Sequence, residues 1–350
     1  MYIILAILAF GILIATHELG HFMAAKACGV RVNEFAIGMG PAIFKKQGKE
    51  TLYSLRILPV GGFCAMEGED EKSEDPRAFS SQKAWKKLII LVAGVAMNFI
   101  FGFIIMLIIF SRFNYYAGTT IDSLADGFPL EDQIMVGDTV YSIDGHRIYY
   151  ADDFSTYMSR GNGETVDMVV VRDGEKVKLD NLPLTLREYV DNGETQLRYG
   201  ITFNVIEAKF KDKIAYSWYE THNSVRLVLM GLTDLVTGKL GVQDMGGVVQ
   251  VVDVINEVGQ QSETTSAALW NIAYICGFIA INLAVMNILP IPALDGGRVF
   301  FLLVTFVIEK ITRKKVNPKY EGYIHAICLL LLLGLMVFVT YHDILRIING

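Results

Sequence analysis

Hydrophobic positions along the chain fall into long unbroken runs and short alternating ones. Residues 1–25 hold no Lys, Arg or Asp, and their only ionisable side chains are His17, Glu18 and His21. Residues 88–110 and 267–289 are uncharged throughout, and 323–341 carry no acidic or basic side chain except His325. Each run matches the roughly 17–25 residues that a helix needs to cross a hydrocarbon core, so four spans are predicted, with both chain ends on one side. The first run has no basic segment before it and no small-residue cleavage motif after it, which argues for a retained span over a removed signal peptide. Residues 299–308 are apolar but too few to span, so a surface or half-buried helix is expected there.

Between the spans the period shortens. In 26–87, Gly38, Gly40 and Pro41 precede an alternation through Tyr53, Leu55 and Ile57, followed by Pro59, Gly61 and Gly62. That predicts β-hairpins. Asp70, Glu71, Glu74 and Asp75 then read as a solvated turn. From 115 to 203, runs such as Val166, Met168 and Val170 are punctuated by Asp144-Gly145, Asn162-Gly163, Asp173-Gly174 and Asn192-Gly193. Such dipeptides close tight hairpins, so a small β-rich module is expected. Over 214–236, Trp218, Val225, Leu229, Leu232 and Val236 recur at helical spacing, an amphipathic helix against the membrane or the module, with His222 as a lone structural imidazole. The predicted organisation is 1–110 with two spans and the hairpin loop, 111–206 as the module, 207–266 as a helical segment, and 267–350 with the last two spans.

Charge adds orientation. Segment 26–87 holds 11 Lys and Arg and segment 298–319 holds 6, against 13 in the much longer 111–266. Basic residues collect on the cytoplasmic side, so the short loops are expected inside and the module and both termini outside. Charged residues are 19% of the chain against a soluble norm of roughly 25%. The net charge of −6 offers no electrostatic footprint for nucleic acid, and none is expected as a partner. Cys28, Cys64, Cys276 and Cys328 are too sparse for a disulfide framework and read as free thiols.

The most specific chemical signal is His17-Glu18-Leu19-Gly20-His21. Helical residues four apart share a face, so both imidazoles converge on one point while Glu18 reaches a water bound there. With 6 His in 350 residues the pattern is expected by chance on the order of 0.005 times. A zinc ion held by two His and a carboxylate keeps a fourth position for water and brings its pKa toward about 7, leaving Glu18 to take and return the proton. Three ionisable groups inside a span cost several kcal/mol and are functional by default.

The third ligand is expected at Asp295, the only carboxylate adjoining the end of the third span. Pro290 and Pro292 break that helix and free backbone groups at membrane depth, which is tolerated only beside protein or a watery cavity. Asn98 and Asn287 are buried amides with two readings each: contact with a substrate backbone, or a bond to a neighbouring helix. Gly94, four residues before Asn98, reads as a helix-packing position.

The two motifs, in this order and separation, resemble those of the site-2 protease family of intramembrane zinc metalloproteases, and the likeness covers almost the whole chain. The stretch Ser54-Leu55-Arg56-Ile57-Leu58-Pro59-Val60-Gly61-Gly62-Phe63 looks like the family's loop after the first span, and Leu294-Asp295-Gly296-Gly297-Arg298 like its third-ligand motif. Val136-Gly137-Asp138-Thr139-Val140-Tyr141-Ser142-Ile143-Asp144-Gly145 is similar to part of a PDZ domain, as in the single-PDZ members of the bacterial RseP and RasP group. Two stretches depart from the pattern. Residues 127–134 lack the usual Ala-Gly-Leu, and Asp244-Met245-Gly246-Gly247-Val248 stands where a Gly-Pro pattern is common.

The resemblance implies an α-helical membrane protein with about four transmembrane helices, a membrane-associated β-hairpin sheet and an inserted extracytoplasmic PDZ-like α/β domain. It implies Zn2+ on His17, His21 and Asp295, Glu18 as base, and Asn287 near the scissile bond. Tyr53 and Leu55 are expected on an exposed strand edge that captures an unwound substrate backbone. The implied substrates are single-span proteins in the bacterial cell membrane, such as trimmed anti-sigma factors and signal peptide remnants. A scaffold or receptor with a vestigial metal site, or a metal transporter or sensor, are the readings from other classes, and Glu18→Gln separates them.

Overall fold

A computed structural model describes residues 2–69, 73–161, 163–191, 194–313 and 318–349. The turn expected at Asp70 and Glu71, and the turn residues Asn162, Asn192 and Gly193, lie outside the described residues. In chain order the elements begin α1 (Tyr2–Ala27), β1 (Val32–Gln47), β2 (Leu52–Met66), α2 (Ala84–Phe110), β3 (Tyr115–Leu124), β4 (Thr139–Ile143), β5 (His146–Arg147) and α3 (Ala151–Met158). They continue with β6 (Val166–Arg172), β7 (Glu175–Leu182), β8 (Arg187–Asp191), β9 (Glu194–Arg198), β10 (Ile201–Glu207) and α4 (Phe210–Val236). The last four are α5 (Val248–Gln261), α6 (Thr265–Ile288), α7 (Asp295–Thr312) and α8 (Pro318–Asn349). The chain divides into two compact units, Met1–Ser111 with Ile214–Gly350, and Arg112–Lys213.

In the first unit α1, α2, α6 and residues Glu321–Arg346 of α8 are long and apolar enough to cross a membrane. The first three meet where side chains vanish. A Cβ on Gly20 of α1 would abut the Ala93 carbonyl and lie 2.9 Å from Cα of Gly94 in α2. A Cβ on Gly102 of α2 would lie 3.0 Å from the Gly277 carbonyl oxygen of α6. Small residues at such crossings let backbones approach where lipid supplies no hydrophobic drive. α7 starts four residues before the apolar stretch that predicted it and is not among the four spanning candidates.

β1 and β2 form one antiparallel ribbon that folds on itself, bent where Gly38, Gly40 and Gly61 adopt φ of 86°, 82° and 93°. The 32–37 part of β1 pairs with both 62–66 and 52–55 of β2, and 42–47 pairs with 52–56. The lateral order is therefore 42–47, 52–56, 32–37, 62–66. This corrects the expectation for Tyr53 and Leu55. Tyr53 pairs with Phe35 on one side and Lys46 on the other, and Leu55 with Ile37 and Phe44, so neither lies on an edge. Ile37, Met39, Ile43, Phe44, Ile57 and Leu58 are exposed on this sheet, an apolar surface suited to lipid. Its root is anchored by Val32, Cys64 and Met66, which pack with Ala25 of α1 and Ile90 of α2.

α4 turns Ser217, Glu220, Thr221, Asn223 and Ser224 inward, while Trp218, Leu229 and Val236 of its apolar stripe stay exposed. Trp218 still meets the rings of Phe99 and Phe103 in α2, and Val225 packs beside Met106 and Ile281. Polar-in, apolar-out is the arrangement expected of a helix whose outer solvent is lipid. His222 is exposed on this helix.

α5 explains the departure at 244–248. Gly247 is its N-cap, and the buried carboxylate of Asp343 in α8 accepts the Gly247 amide at 3.1 Å and the Gln250 amide at 3.2 Å. A Cβ on Gly247 would lie 2.6 Å from that carboxylate, so the cap requires glycine. α5 also lies along α1: Ile255 packs with Ala6, and Gly259 makes room for the Tyr2 ring.

The second unit is a sheet in the order β10-β3-β4-β6-β7 with β5 beside β4, a separate β8-β9 hairpin, and α3. Asp144-Gly145 (φ 46° and 77°) and Asp173-Gly174 (φ 51° and 84°) close β4-β5 and β6-β7, the paired positive φ of a type I′ turn. Arg172 grips the buried Asp138 carboxylate with two hydrogen bonds of 2.8 Å, and the Met135 amide donates to it at 2.9 Å.

Candidate metal centre

α1 carries His17 and His21 on one face, as their spacing requires, and α2 lies so close that the rings occupy the space over Gly94. A Cβ there would fall 2.8 Å from His17 Cε1 and within contact distance of His21 Nε2. Gly94 is thus more than a packing position: it is the hollow that admits both imidazoles.

Asp295 arrives from the far end of the sequence. α6 stops at Ile288, and residues 289–294 carry Pro290 and Pro292 before α7 begins at Asp295 itself. The link turns back hard. Positions Gly296 and Gly297 would each drive a Cβ into it, against the Ile288 and Leu289 carbonyls and 2.8 Å from Cα of Pro292. Ala293 takes φ 79°, a left-handed conformation that costs a non-glycine residue about 1–3 kcal/mol and persists only where surroundings hold it. Its amide donates to Nδ1 of His325 in α8 at 2.8 Å.

The three predicted ligands converge. Asp295 Oδ2 lies 3.0 Å from His17 Nε2 and 3.3 Å from His21 Nε2, and those nitrogens are 3.2 Å apart. A tetrahedral site with bonds of about 2.0–2.1 Å has donor–donor edges of roughly 3.3 Å, so the triangle is the right size for one face of a zinc site.

Hydrogen bonding behind the ligands fits as well. The Ile90 carbonyl lies 2.8 Å from His21 Nδ1 and can only accept, so Nδ1 carries the proton and Nε2 presents a lone pair to the centre. Asp295 Oδ2 is buried without a hydrogen-bond partner. His21 Nε2 and Asp295 Oδ2 therefore aim electron pairs at one point, which a cation satisfies. Asn98 is fully buried with its amide 3.4 Å from His17 Nδ1, and its Oδ1 is otherwise unpartnered. Turning that amide over lets Oδ1 accept the Nδ1 proton and frees His17 Nε2 in the same way. Of the two readings its sequence position left open, the full burial of Asn98 and its contact with His17 favour the bond to a neighbouring helix.

Glu18 is half-buried beside the pair, and its Cγ lies 3.4 Å from where a Cβ on Gly62 would stand. A carboxylate thus adjoins the three converging side chains, with the last segment of β2 running over it. Asn287 lies half-buried in the final turn of α6, ahead of the proline link. On the far side of that link Arg298 pairs with Glu69 beside a cavity of about 550 Å³ that Lys87, Ala293, Glu321 and His325 also line. Sequence reasoning missed that pair, having no local signal for a contact spanning 229 positions.

The sequence profile of peptidase family M50 matches residues 5–335. The chain is 36% identical over 354 residues to a candidate zinc metalloprotease of Clostridium acetobutylicum, covering 99% of this chain and 98% of the relative. A similarly named protein of Clostridium perfringens is 34% identical over 348 residues, 99% of each chain. The regulator of sigma-W protease RasP of Bacillus subtilis is 27% identical over 428 aligned positions, covering 99% of this chain and 98% of RasP.

Proposed function

Because this chain belongs to peptidase family M50 and is a site-2-type zinc metalloprotease, we propose that it hydrolyses peptide bonds inside the transmembrane segments of single-span proteins. The observation that carries the reading is the triangle of His17, His21 and Asp295 donors on helices apolar enough to cross a bilayer. His17, His21 and Asp295 hold the zinc. Zinc held there supplies a Lewis acid that polarises the scissile carbonyl and makes water reactive near neutral pH. Glu18 takes a proton from the attacking water on its carboxylate and passes it to the departing amine nitrogen. Ile90, through its carbonyl, and Asn98, through its amide, hold the two rings with Nε2 inward. Asn287, ahead of the proline link, receives the substrate backbone near the scissile bond.

Substrate capture moves from the expected residues to another part of the sheet. Of the two strands paired on one side only, 62–66 is the one against Glu18, so the unwound substrate adds there as a further strand. The basic loops favour an active site toward the cytoplasmic side of a bacterial cell membrane and support a position outside for residues 112–213. We read that unit as PDZ-like, supported by its antiparallel sheet, single helix and Gly137-Asp138 turn, and as a device that turns away substrates not yet trimmed. Anti-sigma factors are the substrate class favoured by likeness to RasP, whose name ties that protein to sigma-W, with signal peptide remnants as a second class.

The test compares membrane proteomes of cells carrying the active enzyme and Glu18→Gln. Uncleaved single-span fragments should accumulate with the variant, which should keep its zinc. Equal fragment profiles, or cleavage of a reporter span by Glu18→Gln, would reject the reading.

A further inference from the structure

The fourth spanning helix contributes little packing, since only 6% of its apolar window is buried, yet it carries an imidazole. An ionisable side chain in a span calls for a reason. His325 is the side chain that accepts the Ala293 amide, across 32 positions of sequence, while its ring leans on Phe301 of α7 at 5.3 Å between centroids. Its side chain is 18% exposed, at the wall of the 550 Å³ cavity.

The location of that bond matters. Residues 289–294 contain two prolines, which lack an amide N–H, and Ala293 is held at φ 79° two residues before Asp295. Asp295 opens α7 with no side-chain cap from Leu294, so the carboxylate's position follows from how the link enters the helix. A bond that fixes the 292–293 peptide plane also fixes the direction in which Leu294 and Asp295 leave it. We propose that His325 is a positioning residue: through Nδ1 it pins the left-handed turn at Ala293 and so presents the Asp295 carboxylate to His17 and His21. This deepens the zinc-protease reading and rests on it. Because an amide N–H can only donate, Nδ1 must be the bare nitrogen of the ring, with the proton on Nε2.

The experiment uses the full chain, purified in detergent with zinc bound, and three substitutions read by zinc retention against a chelator and by reporter cleavage. Asparagine places Oδ1 where Nδ1 stands, glutamine reaches further to the place of Nε2, and leucine fills the volume without an acceptor. If outer-shell support is the role, His325→Leu and His325→Gln should lose about 10–100-fold in zinc affinity, while His325→Asn stays within about threefold of the native protein. Zinc retention by His325→Leu equal to the native protein, or loss by His325→Asn as deep as by His325→Leu, would overturn the proposal. A readout without substitution guards against misfolded variants: 15N NMR of the zinc-loaded protein should find His325 protonated at Nε2 and bare at Nδ1, and a protonated Nδ1 would overturn it. Asp295→Asn runs beside the series. Full zinc retention by that variant would sink the ligand assignment instead, while the His325 spectrum would still report on the bond itself.

Discussion

A methyl group at position 94 has no room, and its effect can be worked from the contacts. On the present backbone the Cβ of Gly94→Ala would stand 2.8 Å from both His17 Cε1 and His21 Cδ2, and closer still to His21 Nε2. An unstrained carbon contact needs roughly 3.5 Å, so the His17 ring must retreat by roughly 0.7 Å and the His21 ring, whose Nε2 lies closer, by more. Reacting constellations tolerate about 0.5 Å, and a displacement near 1 Å costs about 100-fold, so kcat/KM should fall by about two orders of magnitude, or about 2.7 kcal/mol. Zinc affinity should fall with it. Helix propensity acts in the opposite direction, because alanine is preferred over glycine in a helix interior by about 1 kcal/mol. The apo protein should therefore keep its helix content and melting temperature, which separates this outcome from misfolding. The assay is cleavage of a reporter span in detergent, with zinc measured by mass spectrometry and folding by circular dichroism. Native cleavage together with native zinc content would refute the claim that α2 forms the floor of the site.

Other perturbations test separate parts of the molecule. Asp295→Asn should lower zinc retention by removing the anionic ligand, and an unchanged metal content after dialysis against a chelator would reject that assignment. In the second unit, burial works against the charge on Asp138, but the Arg172 guanidinium and the Met135 amide outweigh it and hold the carboxyl below its usual range. With the folded pKa depressed, the stabilisation is complete above an unfolded value of about 3.9 and is lost as pH falls through the lower folded value. Protection factors in residues 112–213 of the intact chain, taken relative to the intrinsic exchange rate at each pH, should fall as pH drops below about 4, and Asp138→Asn should flatten that dependence; identical profiles would count against the pair. Burial, with Glu18 and Glu69 adding to it, pushes the Cys64 thiol up to about 12, so iodoacetamide at pH 8 should label it only after unfolding. Prompt labelling of the folded protein would show the sheet root to be open.

The sequence was most readable where one period or one chemical demand dominates. The spanning candidates follow from runs without charge, the convergence of His17, His21 and Asp295 from two histidines four apart and a carboxylate behind two prolines, and the tight turns from Asp144-Gly145 and Asp173-Gly174. It was least readable where two distant segments decide jointly. Alternation through Tyr53, Leu55 and Ile57 marks a strand but not its neighbours, and only the fold-back at Gly38, Gly40 and Gly61 puts that segment in the sheet interior. Asn98 left two roles open because composition cannot tell a side chain facing a partner helix from one facing a substrate. The same limit hid the role of Gly94, whose absent side chain matters only once the α1 rings lie over it.

The carboxylate of Asp343 binds α5 and α8 into one mechanical part. Separating them would leave the part-buried Gly247 and Gln250 amides without that acceptor and α5 without its N-terminal cap, which is worth about 1 kcal/mol. Because α5 rests on Tyr2 and Ala6, a pull on the closing turns of the last span is delivered to the opposite end of the helix that carries both imidazoles. A tag or fusion partner hung behind α8 loads that lever, and detergents that splay loosely packed spans act on it as well.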